Sequence, residues 1–222
     1  MEKTKYPNVF WTSKKKLATL NLVPGLQVYG ERLIKEKGKE YREWDPHRSK
    51  IGAALMRGIK DLPIKSGSKV LYLGSASGTT ASHISDIVGQ NGKVFCVDIA
   101  PRVMRDLIFV AEKKTNMIPV LADASNPAEY EFMVEECDFV FEDVAMPNQT
   151  EILIKNCQKF LKKGGYAMIA LKARSIDVTA HPSDIFEKAE KELSKVFKIV
   201  DKKRLEPFEK DHIMFLLKMK ET

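Results

Sequence analysis

The stretch KVLYLGSASGTT, Lys69 to Thr80, decides the fold. Val70 to Leu73 is a short apolar run of the kind carried by a strand buried on both faces. A turn of small residues follows, Gly74, Ser75, Ala76, Ser77 and Gly78, and a helix is predicted to open at Thr79 or Thr80. Strand, small-residue turn and helix together let a ligand lie against bare backbone and a helix N-terminus. Gly74 and Gly78 remove the Cβ atoms that would block that approach. The dinucleotide fingerprint G-x-G-x-x-G is absent, because Ala76 and Thr79 stand where its later glycines would be. The phosphate loop is absent too, because Thr79 follows Gly78 where a lysine is required. Taken alone the turn is also compatible with any glycine-bearing βα connection, so the rest of the chain has to decide.

Downstream, strand and helix patterns alternate. Strands are predicted at Lys93–Ile99, Ile118–Ala122, Asp138–Val144 and Tyr166–Leu171. Helices are predicted at about Thr80–Val88, at Pro101–Lys113 with Met104, Leu107, Ile108 and Ala111 on one face, and at Gln149–Leu161, ended by Gly164 and Gly165. A further helix, Ser183–Val196, has Ser183 as its simple N-cap. The tail changes rhythm: Phe197–Leu205 and His212–Met219 are separated by a short loop and must pair antiparallel. The fold class is therefore α/β, a Rossmann-like, mostly parallel seven-stranded sheet with a C-terminal antiparallel hairpin, the arrangement of methyl-donor enzymes. Residues 1–44 read as a small antiparallel β-rich domain, with short apolar pieces at Val9–Trp11, Leu17–Leu22 and Gln27–Tyr29. A helix follows at Ile51–Ile59, and the second domain is placed at 45–222.

The 222 residues allow one α/β domain and a small appendage. No run is long enough to span a membrane, and the charged start MEKTKYPN lacks the apolar core of a signal peptide, so a cytoplasmic location is expected. Cys96, Cys137 and Cys157 form no C-x-x-C pair and suit buried, reduced positions rather than a zinc site or disulfide framework. No His, Cys and carboxylate cluster has metal-ligand spacing, so no catalytic metal is expected. The formal charge of +7 is what a phosphate-backbone binder needs; a solvated lysine-rich surface also explains it, and charge alone slightly favours nucleic acid.

Ligands of doubly wound sheets sit outside the C-terminal strand ends. Those ends carry, in turn, the glycine turn, Asp98, Asp123 with Ala124, Asp143 within EDVAMP, and Lys172 within ALKARS. Asp98 is placed to accept from ribose hydroxyls, and the Asp123–Ala124 pair to hold an adenine amino group while leaving room for the ring. Each acid alone reads as a loop or helix cap; the set reads as a ligand site. Lys172 is either a snorkelling side chain or an ammonium paired with Asp143 across adjacent strands, and Lys50 is able to approach the same mouth.

WDPHRSK, VLYLGSASGTTASHISDIVG, VDIAPRVMRDL, ADASNPAEY, FEDVAMPNQ and LKARSIDVT resemble the fibrillarin family, and its archaeal-type members most closely, from about Trp44 to His212. The resemblance implies S-adenosyl-L-methionine as methyl donor and transfer to ribose 2′-hydroxyls of rRNA and tRNA, with the target chosen by a box C/D guide RNA. It also implies a complex with a Nop-domain scaffold protein and a kink-turn-binding ribosomal-type protein. Gly74, Ser75, Thr79, Thr80, Asp98, Ile99, Asp123, Ala124 and the run Asp143, Val144, Ala145 and Met146 fall on cofactor-contacting positions. Lys50, Asp143, Lys172 and His212 fall on the catalytic constellation of related ribose methyltransferases. Where the family usually has glutamate this chain has Asp98, and where it usually has glutamine this chain has Met146.

The implied chemistry needs the 2′-oxygen in line with the methyl group, at roughly 3 Å. Lys172 is expected to act as base or oxyanion stabiliser and Asp143 as positioner. A lysine acts as base only where burial or neighbouring positive charge favours its neutral form, and the donor's sulfonium and Lys50 stand to supply that charge. His212 reads equally well as a strand residue bonded to the loop before it, and His47, His83 and His181 read as structural. The RNA-facing surface is expected to carry Arg48, Lys50, Arg174 and His181. Two rivals share the fold: a small-molecule O-methyltransferase and a non-catalytic RNA-binding assembly factor.

Overall fold

A computed structural model describes residues 1–221. Five short strands come first: β1 (Glu2–Lys3), β2 (Val9–Trp11), β3 (Leu17–Leu20), β4 (Leu33–Glu36) and β5 (Lys39–Trp44). They form an antiparallel sheet in the order β1-β2-β3-β5-β4. The pieces at Val9–Trp11 and Leu17 onward are strands as expected, but Gln27–Tyr29 is not. There the chain is looped around the Glu31 carboxylate, which accepts from the backbone N–H groups of Val28 and Tyr29. The strands are instead β4 and β5, in the charged segment LIKEKGKEYREW. Their turn is Lys37–Gly38, both at positive φ, which is the backbone a two-residue hairpin requires.

Then follow α1 (Lys50–Met56), β6 (Lys69–Leu73), α2 (Thr79–Val88), β7 (Lys93–Asp98), α3 (Pro101–Ala111) and β8 (Met117–Leu121). The chain continues through β9 (Cys137–Glu142), α4 (Gln149–Phe160), β10 (Leu161–Lys172), α5 (Ala173–Ile176), α6 (Pro182–Val196), β11 (Phe197–Arg204) and β12 (His212–Met219). The second sheet runs β11-β12-β10-β9-β6-β7-β8, parallel except where β12 pairs antiparallel with β10 and β11. Two local expectations are corrected. The chain enters β10 at Leu161, directly from α4, and a register shift between Leu161 and Tyr166 absorbs Gly164 and Gly165. The cap of α6 is the His181 side chain, which accepts from Ser183 N–H, because Pro182 takes the first helical position and moves the start back.

The unbroken apolar strands follow from burial on both faces. Val70, Tyr72, Val94 and Cys96 face a cluster with Ile51, Ile84, Met104 and Leu107 from α1, α2 and α3. Leu71, Leu73, Phe95 and Val97 face Ile152 and Leu153 of α4 and Ile185 and Ala189 of α6. Side chains of period two thus feed two apolar layers. All three cysteines are buried and free.

The first sheet packs on the first layer, with Tyr6, Val9, Leu17 and Trp44 in the same cluster as α1 and α2. Beside it lies a buried charge network. Arg42, with no solvent exposure, donates from Nε to Glu31 at 2.6 Å, from one terminal nitrogen to Asp86 at 2.8 Å and from the other to Ser82 at 2.9 Å. Lys114 pairs with the other oxygen of Asp86. Burial works against charge on Glu31, but Arg42 and the loop N–H groups outweigh it and hold its carboxyl below the usual range. His83 bonds Thr19 and Tyr29, stacks on Trp44 and is kept neutral by burial and by the positive charge of Arg42 and Lys114. Its role is structural, as the sequence suggests.

Candidate active site

The crevice lies at the C-terminal ends of β6, β7, β8 and β9, where a doubly wound sheet places its ligand. It has a volume of about 330 Å³ and is lined by Gly74, Ala76, Asp98, Ile99, Asp123, Ala124 and the run Asp143–Met146. That volume falls in the small-molecule range of roughly 300–1,000 Å³. Gly74 sits at φ +79, and a Cβ there would come within 2.5 Å of the Asp143 carbonyl oxygen. Ile99 and Met146 are large apolar side chains left exposed on the rim, at 64% and 42%. Apolar rims of this kind cover a flat ring, and acids behind them read its polar edge, so the residues present suit a nucleoside-type cofactor.

Asp98 and Asp123 are held by backbone. Asp98 accepts from Ala76 N–H at 2.8 Å and from Ala100 N–H at 3.0 Å, which ties the end of β7 to the glycine turn. Asp123 accepts from Ser125 N–H at 2.8 Å. Ser75, Thr79 and Thr80 do not line the crevice. Ser75 is buried with its hydroxyl toward Val97 O, and the Thr80 hydroxyl is bonded to Ser49 at 3.0 Å. These two side chains face the protein, and the turn offers its backbone instead.

At the mouth, Lys50 and Asp143 form an ion pair although 93 residues separate them in sequence. The Lys50 ammonium donates to Asp143 Oδ2 at 2.9 Å and lies 2.8 Å from Oδ1. The anticipated pairing of Lys172 with Asp143 is therefore replaced by Lys50 with Asp143. Lys172 lies exposed at the end of β10, with no carboxylate within salt-bridge distance among the described residues. Gln149 fixes its backbone: the buried amide accepts from Lys172 N–H at 3.1 Å and donates to Met146 O at 2.8 Å. Nothing in the sequence singled out Gln149, because a polar residue opening a helix is commonplace.

Burial pushes the Asp143 carboxyl up to about 6; Lys50 and then Lys172 pull against that, and Glu209 adds to it. His212 pairs directly across from Lys172 in the sheet. Its Nδ1 lies 2.7 Å from Lys210 O, the strand-to-loop bond anticipated as one of its two roles. Burial, helped by Lys50 and Lys172, holds His212 below its ordinary range, so the ring is neutral at neutral pH and Nδ1 donates. Arg48 and Arg174 are exposed, Arg48 over the Tyr29 ring and Arg174 on Asp211.

Glu142, immediately before Asp143, escaped the sequence reading. It is fully buried between β6 and β10, and neither carboxyl oxygen has a partner among the described residues. Burial and the neighbouring Asp143 charge push its carboxyl well above the ordinary value of 4.5, so it folds as the neutral acid. The unfolded chain ionises Glu142 near 4.5. Its contribution to stability is thus fully present below that pH and is lost as pH rises toward the folded value. Glu142→Gln, which cannot ionise, is expected to gain in Tm over the wild type at about pH 8 and to match it at about pH 4. An equal difference at both pH values would show that Glu142 is not a neutral buried acid.

The seven-stranded order with its antiparallel hairpin, and the acid-lined crevice at the parallel strand ends, define a methyltransferase-type α/β protein. The fibrillarin family model matches residues 1–221. A Pyrococcus abyssi protein named fibrillarin-like rRNA/tRNA 2′-O-methyltransferase is 53% identical over 98% of both chains. A structure of Aeropyrum pernix fibrillarin with natively bound S-adenosyl-L-methionine superposes with a TM-score of 0.90 at 45% identity, covering 97% of this chain and 96% of that one. A fibrillarin chain from a fibrillarin/Nop5p complex also gives 0.90, at 38% identity, covering 98% and 100%. The chain belongs to the fibrillarin family.

Proposed function

We propose that this chain transfers a methyl group from S-adenosyl-L-methionine to ribose 2′-hydroxyls of rRNA and tRNA. It does so as the catalytic subunit of a complex whose box C/D guide RNA selects the target, alongside a Nop-domain scaffold protein and a kink-turn-binding protein. The observation that carries this reading is the Lys50–Asp143 ion pair beside the free amine of Lys172, at the mouth of the crevice lined by Gly74, Asp98 and Asp123. The Pyrococcus relative supports the reaction, the Aeropyrum structure the donor, and the Nop5p complex a Nop-type partner.

Gly74, Asp98, Ile99, Asp123, Ala124 and Met146 would hold the donor, which supplies an electrophilic methyl group when bound. Lys50 occupies both Asp143 oxygens, so Asp143 serves as the positioner of an ammonium. Lys172 is the amine left free to meet the ribose hydroxyl, accepting its proton or stabilising the oxygen as the proton leaves. Gln149 sets where that amine starts from. Asp143 must be ionised to hold Lys50, so turnover falls as pH drops through about 6. Exposed Arg48 and Arg174, each two residues along the chain from a lysine of the mouth, suit phosphate contacts, which position RNA without reading its sequence.

Methyl transfer measured with scaffold, kink-turn protein and guide added stepwise tests the proposal. Incorporation is expected only with the full set, and exchanging the guide should move the modified nucleotide. Transfer to a small alcohol with none to guide-matched RNA would instead mark a small-molecule methyltransferase.

A further inference from the structure

Two hydroxyls join the part of the site that carries Lys50 to the part that carries the donor crevice. Ser49 Oγ accepts from Gly52 N–H at 3.2 Å and thereby caps α1, whose first residue is Lys50. The same oxygen accepts from Thr80 Oγ1 at 3.0 Å. Thr80 lies in the first turn of α2, directly after the glycine turn. Both hydroxyl residues are buried, Ser49 at 2% and Thr80 at 5% exposure. A solvent-exposed cap would need neither that burial nor a second bond. Gly52 seats α1 against Trp44, so the helix is also backed from the first sheet.

We infer that Ser49 is a positioning residue: through its bond to Thr80 it fixes the first turn of α1, and with it the Lys50 ammonium on Asp143, relative to the donor-binding turn. This rests on the methyltransferase reading for its consequence in catalysis, but the geometry it asserts belongs to the free protein. The reasoning is mechanical. Lys50 reaches Asp143 through a long, flexible side chain, and only the placement of its backbone makes one arrangement persist. A cap that is itself bonded to α2 removes the sliding freedom of a seven-residue helix.

The groups around Asp143 set what a loosened pair would do. Lys50 comes from α1, Lys172 from β10, His212 from β12, Glu209 from the loop before it, Tyr72 from β6 and Glu142 from β9. Lys50 is the strongest of the positive influences on Asp143. Displacing it leaves burial and the acids less opposed, so the carboxyl must titrate at higher pH.

The test is the titration of the Asp143 carboxyl by carbon NMR in the free, full-length protein, read together with kcat and KM in the assembled complex. Ser49→Ala is expected to raise the Asp143 midpoint by up to about one pH unit and to lower kcat by between about 10- and 100-fold, with KM for RNA unchanged. Ser49→Thr keeps the oxygen and should restore both. In a Lys50→Met background, Ser49→Ala should move neither, because the group it acts through is gone. If Ser49→Ala folds poorly, Thr80→Val breaks the same bond without uncapping α1 and should raise the midpoint likewise. An unmoved midpoint in folded Ser49→Ala or Thr80→Val overturns the inference, even if kcat falls. The NMR measurement needs neither donor nor RNA, so an inactive wild type would count against the proposed function and leave this result readable.

Discussion

Lys172→Ala is expected to lower kcat for guided methyl transfer by about 10²–10⁴-fold, the usual contribution of a positioned proton-transfer group. Donor affinity measured by calorimetry should stay near the wild-type value, because Lys172 does not line the crevice. Stability should hardly change either, since the side chain is exposed and holds no ion pair among the described residues. The asymmetry with Lys50 makes the prediction specific. Lys50→Met removes the ammonium that Asp143 positions, so it should lower kcat at least as far as Ser49→Ala does and raise the Asp143 midpoint, followed by carbon NMR, above about 6. Lys172→Ala should cut kcat with the Asp143 midpoint rising less, because Lys50 acts on Asp143 more strongly than Lys172 does. Near-normal turnover in Lys172→Ala would remove this lysine from the chemistry.

The second large effect is on stability. Arg42→Ala is expected to cost about 3–5 kcal/mol, the usual penalty for removing one partner of a buried ionic set. Glu31 loses the guanidinium that keeps its carboxyl ionised, and Asp86 keeps only Lys114, Thr19 and the Leu22 N–H. The pH dependence has a definite sign. Glu31 has a folded pKa below its ordinary value, so its contribution is present above about 4.5 in the wild type and is lost as pH falls through the folded value. The deficit of Arg42→Ala in denaturant midpoints should therefore be largest near neutral pH and shrink in acid. A deficit independent of pH would mean that lost packing, rather than uncompensated charge, dominates.

How far the chain declared itself depends on what kind of signal each feature leaves. The seven-stranded sheet was legible because doubly buried strands must be apolar throughout, and runs such as Val70–Leu73 have no other stable home. Asp98, Asp123 and Lys172 were legible because each interrupts such a run at the end where ligands bind. Strands β4 and β5 were not, since one face of a hairpin at a sheet edge carries charge, and the chain buries Arg42 and Glu40 on the other. That pattern looks like a solvated loop until the partner of Arg42 is known. The Lys50–Asp143 pair, the Gln149 clamp and the Ser49–Thr80 bond join residues distant in the chain, and no local spacing announces them. Lys172 is legible as a strand-mouth amine; of its two readings the pair with Asp143 is the one the structure replaces, because Lys50, expected at the same mouth, takes the carboxylate.

The most direct measurement of the central claim is the position of the transferred methyl group, mapped by mass spectrometry on guide-matched RNA after incubation with the assembled complex and the donor. One methyl group on the ribose 2′-oxygen of the guide-specified nucleotide is the expected result, abolished when that nucleotide is 2′-deoxy and strongly reduced with Lys172→Ala. A methyl group found on a base, or retained on the 2′-deoxy substrate, would contradict the account.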